Sequence, residues 1–303
     1  MHSVTASSSL IEFFKRHRGL LVLTGAGCST DSGIPDYRDQ AGQWRRPPPV
    51  THQEFLASAA VRQRYWARSM AGWPRFQRAR PNPAHRALAD LEQAGYVASL
   101  ITQNVDGLHQ QAGHDRIIEI HGNIADVICM NCQQRVPRAK LQLQLETLNP
   151  DFRGRAADQA PDGDADLATD DLSGFAVPGC ARCGGLLKPE VVFFGDNIPR
   201  QRVAEAMAAL EQAEALLVVG SSLMVYSGFR FCQQAKAQGK PIAALNRGVT
   251  RADSLLDLKL DQACGEVLVA AARNLRAQKP SNQPTRTYCS NASMDSGRLK
   301  KKP

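Results

Sequence analysis

Short apolar runs recur along the chain, and each gives way to polar turn-formers. Residues 20–23 form the first run and read as a buried strand. It ends on Thr24-Gly25-Ala26-Gly27, which breaks both helix and strand. Residues 97–101 form a second run, followed by Thr102-Gln103-Asn104-Val105-Asp106. Leu216–Val219 is a third, followed by Gly220-Ser221-Ser222, and 241–245 a fourth, followed by Asn246-Arg247-Gly248. Residues 10–19 predict a short helix with Leu10, Ile11, Phe13 and Phe14 on its apolar side. Helical spacing with few breakers also marks 82–94, Arg200–Gln212 and 229–238. Strands alternating with helices predict an α/β fold, a Rossmann-like parallel sheet covered by helices. Ligands of such sheets sit beyond the carboxyl ends of the strands. Here four strand ends carry Gly, Ser, Asn, Gln or Asp, more polar chemistry than a turn requires.

Two stretches interrupt this plan. Residues 38–83 are rich in Arg, Trp and Pro and predict a helical excursion. Residues 129–186 open and close on Cys129-x-x-Cys132 and Cys180-x-x-Cys183. Between these pairs, 151–171 is acidic with Ala, Gly and Pro, which predicts a mobile loop. The expected division is therefore a Rossmann-like domain from 1–37, 84–128 and 187–276, and a smaller helical and zinc-ribbon module from 38–83 and 129–186. The polar, basic tail at 277–303 is expected to be disordered.

Composition removes several classes. With 43% hydrophobic and 22% charged residues, the chain is neither disordered, collagen-like nor a coiled coil. Its apolar runs fall far short of the roughly 18–20 residues of a membrane span, so no membrane partner is expected. Residues 1–10 lack the charged start and apolar stretch of a secretory signal, which makes a cytoplasmic location the default and leaves an organelle matrix open. The net charge of +8 is uneven: 38–86 holds ten arginines against two acids. Beside a glycine loop, such a patch suits a dinucleotide or an acidic substrate better than a nucleic-acid groove.

Eight cysteines are too few for a disulfide scaffold in 303 residues. The four paired ones, Cys129, Cys132, Cys180 and Cys183, supply a complete tetrahedral thiolate shell for one structural Zn²⁺. The 47 residues between Cys132 and Cys180 exceed the usual ribbon spacing. Gly25-Ala26-Gly27-Cys28-Ser29 follows a strand directly, and glycine lets backbone N–H groups approach a pyrophosphate. It fits neither G-x-G-x-x-G nor a P-loop, so by itself it is equally a strand-to-helix turn.

The loop continues Asp31-Ser32-Gly33-Ile34-Pro35-Asp36-Tyr37-Arg38, and residues 25–38 resemble the first motif of the sirtuins, the NAD-dependent protein deacylases. Further stretches resemble that family in order: residues 102–109, His121-Gly122, the two Cys pairs, 188–196, 220–222 and 245–246. The likeness spans about 10–275. Tyr37, the Arg64-Tyr65-Trp66-Ala67-Arg68 stretch and the long acidic insert resemble class II sirtuins. Cys28 departs from the aliphatic residue common at its place.

The resemblance implies NAD as cofactor, a structural zinc, and acylated-lysine proteins as substrates. It implies release of nicotinamide, O-acyl-ADP-ribose and free lysine. His121 is implied as general base, helped by Asn104 ordering a water or the ribose. NAD contacts are implied for Gly25, Ala26, Gly27, Cys28, Ser29, Asp36, Tyr37 and Arg38. The same holds for Gln103, Asn104, Val105, Asp106, Gly220, Ser221, Ser222, Asn246, Arg247, Gly248 and Cys264. Asp106 would accept from the carboxamide of nicotinamide, and Arg38 would face the phosphates or hold its loop. Val191, Val192, Phe193 and Phe194 would pair with an extended substrate peptide. Tyr65 and Arg68 would clamp an acidic acyl group, or form a helix with Tyr65 inward and Arg68 solvated. A mono-ADP-ribosyltransferase on the same scaffold and a non-catalytic zinc-ribbon module stand as alternatives.

Overall fold

The computed structural model describes residues 2–154, 157–159, 165–167, 172 and 174–277. The basic tail therefore lies outside the described residues. Strands run Leu20–Thr24 (β1), Val97–Thr102 (β2), Ile117–Glu119 (β3), Gly122–Cys129 (β4), Arg135–Pro137 (β5), Ala157–Gln159 (β6), Ala165–Leu167 (β7), Leu187–Val191 (β8), Leu216–Val219 (β9), Ile242–Leu245 (β10) and Leu258–Leu260 (β11). Helices run His2–Arg16 (α1), His52–Ala57 (α2), Ala59–Arg78 (α3), Pro83–Gln93 (α4), Leu108–Gln111 (α5), Arg138–Leu148 (α6), Arg200–Gln212 (α7), Tyr226–Ala237 (α8) and Cys264–Ala277 (α9).

Six strands form one parallel sheet in the order β11-β10-β9-β1-β2-β3. Alternate side chains of a strand point to opposite faces, and both faces here are covered. Leu20, Val22, Leu217, Val219 and Leu245 pack with α1, α4 and α9. Leu21, Leu23, Leu216, Val218 and Ile242 pack on the other face with α7 and α8. Continuous apolar runs, with no alternation of polar residues, are the sequence signature of this arrangement. Helix α4 starts where chemistry dictates: the Asn82 side chain accepts from the backbone N–H of Ala84 and His85, and Pro83 follows it.

A smaller module packs helices α2, α3 and α6 with the antiparallel sheet β5-β4-β8. Its core contains Phe55, Tyr65, Trp66, Leu141, Leu145, Leu187 and Phe193, together with Cys129 and Cys180. Arg138 is fully buried there, its guanidinium over the Trp66 and Trp73 rings at 5.6 and 4.8 Å and donating to Ser69. The four expected central strands appear with shifts of one residue at most. The edge strands β3 and β11, three residues each, and helix α9 carry signals too short or too glycine-marked for periodicity to single out. The first helix lies earlier than expected, over His2–Arg16. The acidic stretch expected as loop contains the antiparallel pair β6–β7 among its described residues, with Asp158 opposite Asp166 in the backbone register.

Strand order reverses between β1 and β9: the chain continues outward through β2 and β3 on one side and through β10 and β11 on the other. A crevice opens where such a reversal occurs, beyond the strand ends. At this point the turn after β1 crosses the turn after β9. Gly27 N–H donates to Gly220 O at 2.9 Å. Gly220 has φ +60, and a Cβ on it would lie 2.3 Å from the backbone nitrogen of Cys28. A left-handed conformation alone costs a non-glycine residue about 1–2 kcal/mol. Gly220→Ala is therefore expected to lower stability by at least that amount and to part the two turns; an unchanged unfolding midpoint in denaturant would show that the crossing tolerates a side chain.

Candidate active site

The crevice continues into a cleft of about 790 Å³ between the parallel sheet and the smaller module. Its floor is the crossing of the two glycine turns. Residues 25–29 follow β1 as a single 3-10 turn, Ala26–Cys28, closed by Cys28 N–H to Gly25 O at 2.9 Å. A Cβ on Gly25 would meet the Ser221 side chain at 2.7 Å, so only glycine permits this approach. The result is a backbone surface without side chains, which a phosphate group can approach closely; the N–H groups of Gly25, Gly27, Cys28 and Ser29 themselves donate to Val219 O, Gly220 O, Gly25 O and Ala26 O.

Polar groups from three strand ends converge above the floor. Ser29 is the hub: its hydroxyl donates to Asp106 Oδ2 at 2.7 Å and accepts from Asn104 Nδ2 at 3.0 Å. Asn104 Nδ2 also reaches Gly25 O at 3.1 Å. Asp106 accepts from Leu108 N–H, the first residue of α5, at 2.9 Å through its other oxygen, while the N-cap position itself is Gly107. Burial pushes the Asp106 carboxyl above its ordinary pKa, and the two hydrogen bonds partly offset that rise. Below Ser29 lie the buried imidazoles of His85 and His109, their ring centroids 4.7 Å apart. Burial lowers the His85 pKa to about 4 and holds His109 well below its ordinary value. Sulfur and imidazole nitrogens of Cys28, His85 and His109 come within 4.8 Å of one another. His85 Nδ1, however, already accepts from Asn82 N–H at 3.3 Å, and His109 Nε2 meets Thr24 Oγ1 at 2.9 Å. One nitrogen of each imidazole is thus taken up within the protein, while His109 Nδ1 is buried without a partner.

His121 stands at the junction of sheet and module. Its Nδ1 lies 2.9 Å from Gln103 O, and its Nε2 lies 2.9 Å from Ser227 Oγ. Gln103 is itself held by Ser221, whose hydroxyl donates to Oε1 at 2.6 Å. Burial is the largest cause lowering the His121 pKa; the Gln103 carbonyl raises it, and Arg202 and Arg230 lower it further. The next residue, Gly122, has φ +85, and a Cβ there would lie 2.1 Å from Glu190 O. The His-Gly pair thus reflects a tight crossing of β4 over β8. Val192 N–H donates to His121 O at 2.8 Å, which ties the histidine to the segment after β8.

Val191, Val192, Phe193 and Phe194 line one side of the cleft. Among the described residues β8 is an edge strand of its sheet, and beyond it Phe194 bridges Thr51, its carbonyl accepting from His52 N–H at 2.8 Å. Phe193 is buried against Phe55 and Tyr65, at centroid distances of 5.2 and 5.3 Å. Phe194 contacts Tyr37 and Trp44 edge-on. Arg38 donates to Gly42 O at 2.8 Å and lies over the Trp44 ring at 3.9 Å; of its two expected tasks it performs the holding of its loop. Asp36 pairs with Arg45 at 2.7 Å.

Of the residues singled out in the sequence, 25–29, 36–38, 103–106, His121, 191–194, 220–222, Asn246, Arg247 and Cys264 all line this one cleft. Tyr65 lines it too, buried on α3, whereas Arg68 is half-buried outside its wall. Gly248 also stays outside: its φ of +79 and close approach to Gln40 O shape the loop, and its N–H donates to Asp261. The sequence did not point to Ser227, Arg230, Met224 or Trp44, which complete the wall. Ser227 and Arg230 belong to α8, which starts three residues earlier than its periodicity indicated.

The four paired cysteines meet in the smaller module, with sulfur–sulfur distances of 3.5 Å (Cys129–Cys183) and 3.7 Å (Cys132–Cys180). All four sulfurs lie within 4.8 Å of one another. A disulfide would need about 2.05 Å. A tetrahedral Zn²⁺ with sulfur at about 2.3 Å sets its ligands about 3.8 Å apart, and the observed spacing fits. Backbone N–H groups of Cys132 and Asn131 point at the Cys129 sulfur and lower its pKa, while the neighbouring sulfurs raise that of Cys183, so without a cation the four cannot all be thiolates. No helix among the described residues is long and apolar enough to cross a membrane.

The Sir2 family model matches residues 25–227. A protein of Xanthomonas campestris pv. campestris (strain 8004) named NAD-dependent protein deacetylase is 60% identical over 260 residues, 86% of this chain and 89% of that one. The Bos taurus protein named NAD-dependent protein lipoamidase sirtuin-4, mitochondrial, is 49% identical over 262 residues, 86% of this chain and 83% of its own. Among solved structures, "Sir2-p53 peptide-NAD+" aligns with a TM-score of 0.69 at 30% identity, covering 89% of this chain and 96% of that chain. With the Sir2 model matching residues 25–227 and a relative named NAD-dependent protein deacetylase 60% identical over 86% of the chain, the chain belongs to the Sir2 family, the sirtuins.

Proposed function

We propose that this protein is an NAD-dependent protein-lysine deacylase with one structural zinc. The observation that carries the reading is His121, whose Nδ1 is held by the Gln103 carbonyl and whose Nε2 meets Ser227 Oγ, in the same cleft that the glycine turns and the 191–194 segment line. NAD, when bound, supplies the glycosidic bond that is broken and the ADP-ribose that takes the acyl group. The glycine turns, Ser221 and Ser222 would receive its phosphates, and Asn246, Arg247 and Cys264 its adenosine end. Asp106 would accept from the carboxamide, and Asn104, anchored to Gly25 and Ser29, would face the ribose. His121 would take a proton from a ribose hydroxyl at Nε2, a task suited to an imidazole kept neutral by burial. The acylated lysine would enter on an extended peptide laid along the edge of β8 and residues 191–194. Recognition through backbone implies weak sequence preference.

Three features support placement in class II: Tyr37, the Arg64–Arg68 stretch, and the insert between the cysteine pairs. The same reading divides the chain at the cleft, with 1–37, 84–128 and 187–276 on the sheet side and 38–83 and 129–186 on the module side; the separate hydrophobic clusters support it. Free cysteines and thiolate ligation favour a reducing compartment, bacterial cytoplasm or organelle matrix. The acyl group is open to acetyl and larger chains. A clamp on acidic acyl groups by Tyr65 and Arg68 has weak support, since only Tyr65 lines the cleft.

Nicotinamide release from NAD with a panel of acylated peptides tests the activity; label from NAD appearing on protein without deacylated peptide would favour ADP-ribosyl transfer instead. His121→Ala should lose roughly 10²–10⁴-fold in deacylation with the fold intact, and wild-type turnover by that variant would remove the histidine from the mechanism. Because burial lowers the His121 pKa, its neutral, basic form persists as pH falls past the ordinary value of about 6.5. The acidic limb of the kcat/KM profile should therefore lie below that pH; a limb above it would contradict the assignment. Purified protein should carry about one zinc per chain. Cys129→Ala should lose the ion and unfold at lower temperature, whereas a zinc-free, fully stable wild-type chain would refute the site.

A further inference from the structure

His121 has two ring nitrogens and two partners, and the partners are chemically unequal. Gln103 O is a carbonyl and can only accept, so Nδ1 at 2.9 Å carries the proton. In a neutral ring Nε2 then presents a lone pair. Ser227 Oγ, 2.9 Å away, must therefore donate its hydroxyl proton to Nε2. We propose that Ser227 is the positioning residue of His121: its hydroxyl holds the ring in the Nδ1–H form and keeps, in the free protein, the place that the ribose hydroxyl takes when NAD binds.

The geometry around α8 bears on this directly. Ser227 is the second residue of that helix, and its neighbour Gly228 presses against Gln103; a Cβ at 228 would lie 2.6 Å from Gln103 Nε2. Gln103 is in turn fixed by Ser221 at 2.6 Å. One contact between the start of α8 and the end of β2 thus registers both hydrogen bonds of the ring. Without the hydroxyl, the half-buried Nε2 lone pair loses its donor, and an acceptor left unpaired costs more than a hydrogen bond contributes. The ring is then free to turn, or to take a second proton at Nε2, and either change spoils it as a base. The charged groups acting on the ring are Arg202 on α7 and Arg230 on α8, both cations that oppose a second proton. Ser227 acts in the same direction, because a donor to Nε2 stabilises the neutral ring. No bond of Ser227 is made or broken.

This rests on His121 being the base, so the test separates the two. Wild-type, Ser227→Ala and Ser227→Thr proteins are labelled with ¹⁵N-histidine, and His121 is read by two-bond nitrogen–proton correlation across a pH series without NAD. The same proteins are assayed with NAD and an acetyl-lysine peptide. Wild type should show the proton on Nδ1. Ser227→Ala should titrate at higher pH or show mixed tautomers, and its kcat should fall about 3–10-fold with KM for NAD little changed, the worth of one hydrogen bond. Its acidic limb should move to higher pH, and Ser227→Thr should restore both. A wild-type ring protonated on Nε2, or a Ser227→Ala ring that titrates as wild type, overturns the proposal whatever the activity. A loss as deep as that of His121→Ala would mark Ser227 as a proton-transferring group and equally overturn it. An active His121→Ala variant would sink the base and leave the tautomer result standing.

Discussion

Two backbone turns have to touch for this cleft to exist. The sheet reverses its strand order between β1 and β9, and the turns that leave those strands cross at Gly25, Gly27 and Gly220. No side chain fits at that crossing, because Cβ atoms would fall 2.3–3.0 Å from the opposite turn. What remains is main chain, stitched together by its own hydrogen bonds: Gly27 N–H to Gly220 O, Cys28 N–H to Gly25 O and Gly220 N–H to Leu245 O. The rest of the site is arranged around that bare floor: Ser29 on one turn, Ser221 on the other, and the end of β2 bridging them through Asn104 and Gln103.

Burial then sets the electrostatics. His85 and His109 are buried, Asp106 and His121 half-buried in the cleft lining, and in each the main cause of the pKa shift is loss of solvation. The carboxyl is pushed up and the imidazoles down, so each group tends toward its neutral form. Hydrogen bonds to Ser29, Thr24, Gln103 and Ser227 make that burial tolerable, since buried polar groups without partners are costly. A cleft built this way gathers imidazoles biased toward their neutral form and a hydrogen-bonded carboxyl.

The smaller module contributes the opposite wall. Phe193 joins its core to Phe55 and Tyr65, and the segment that carries Phe193 also holds His121 through Val192. The cysteine cluster anchors the far end of the same unit: Cys129 ends β4, whose first residue, Gly122, follows the histidine. A metal at that cluster would stiffen the strand on which the catalytic wall is mounted, far from the chemistry itself.

Much of this was legible in the chain alone. Apolar runs of four or five residues determined the central strands, because strands buried on both faces need no polar alternation. The two Cys-x-x-Cys pairs spoke for themselves, because metal ligation demands one residue type at a set spacing; the glycines at 25, 27, 122 and 220 gained meaning only through the ordered motifs around them. Edge strands of three residues lacked enough length for a periodic signal, and the glycine-marked start of α9 hid a helix. Tertiary structure alone decided which polar groups meet. It set Arg38 on its own loop, left Arg68 and Gly248 outside the wall, and brought Ser227 to Nε2 of His121 across 106 positions of sequence. The physical reason is that a hydrogen bond depends on distances of about 3 Å between atoms, which only the packing of whole elements determines.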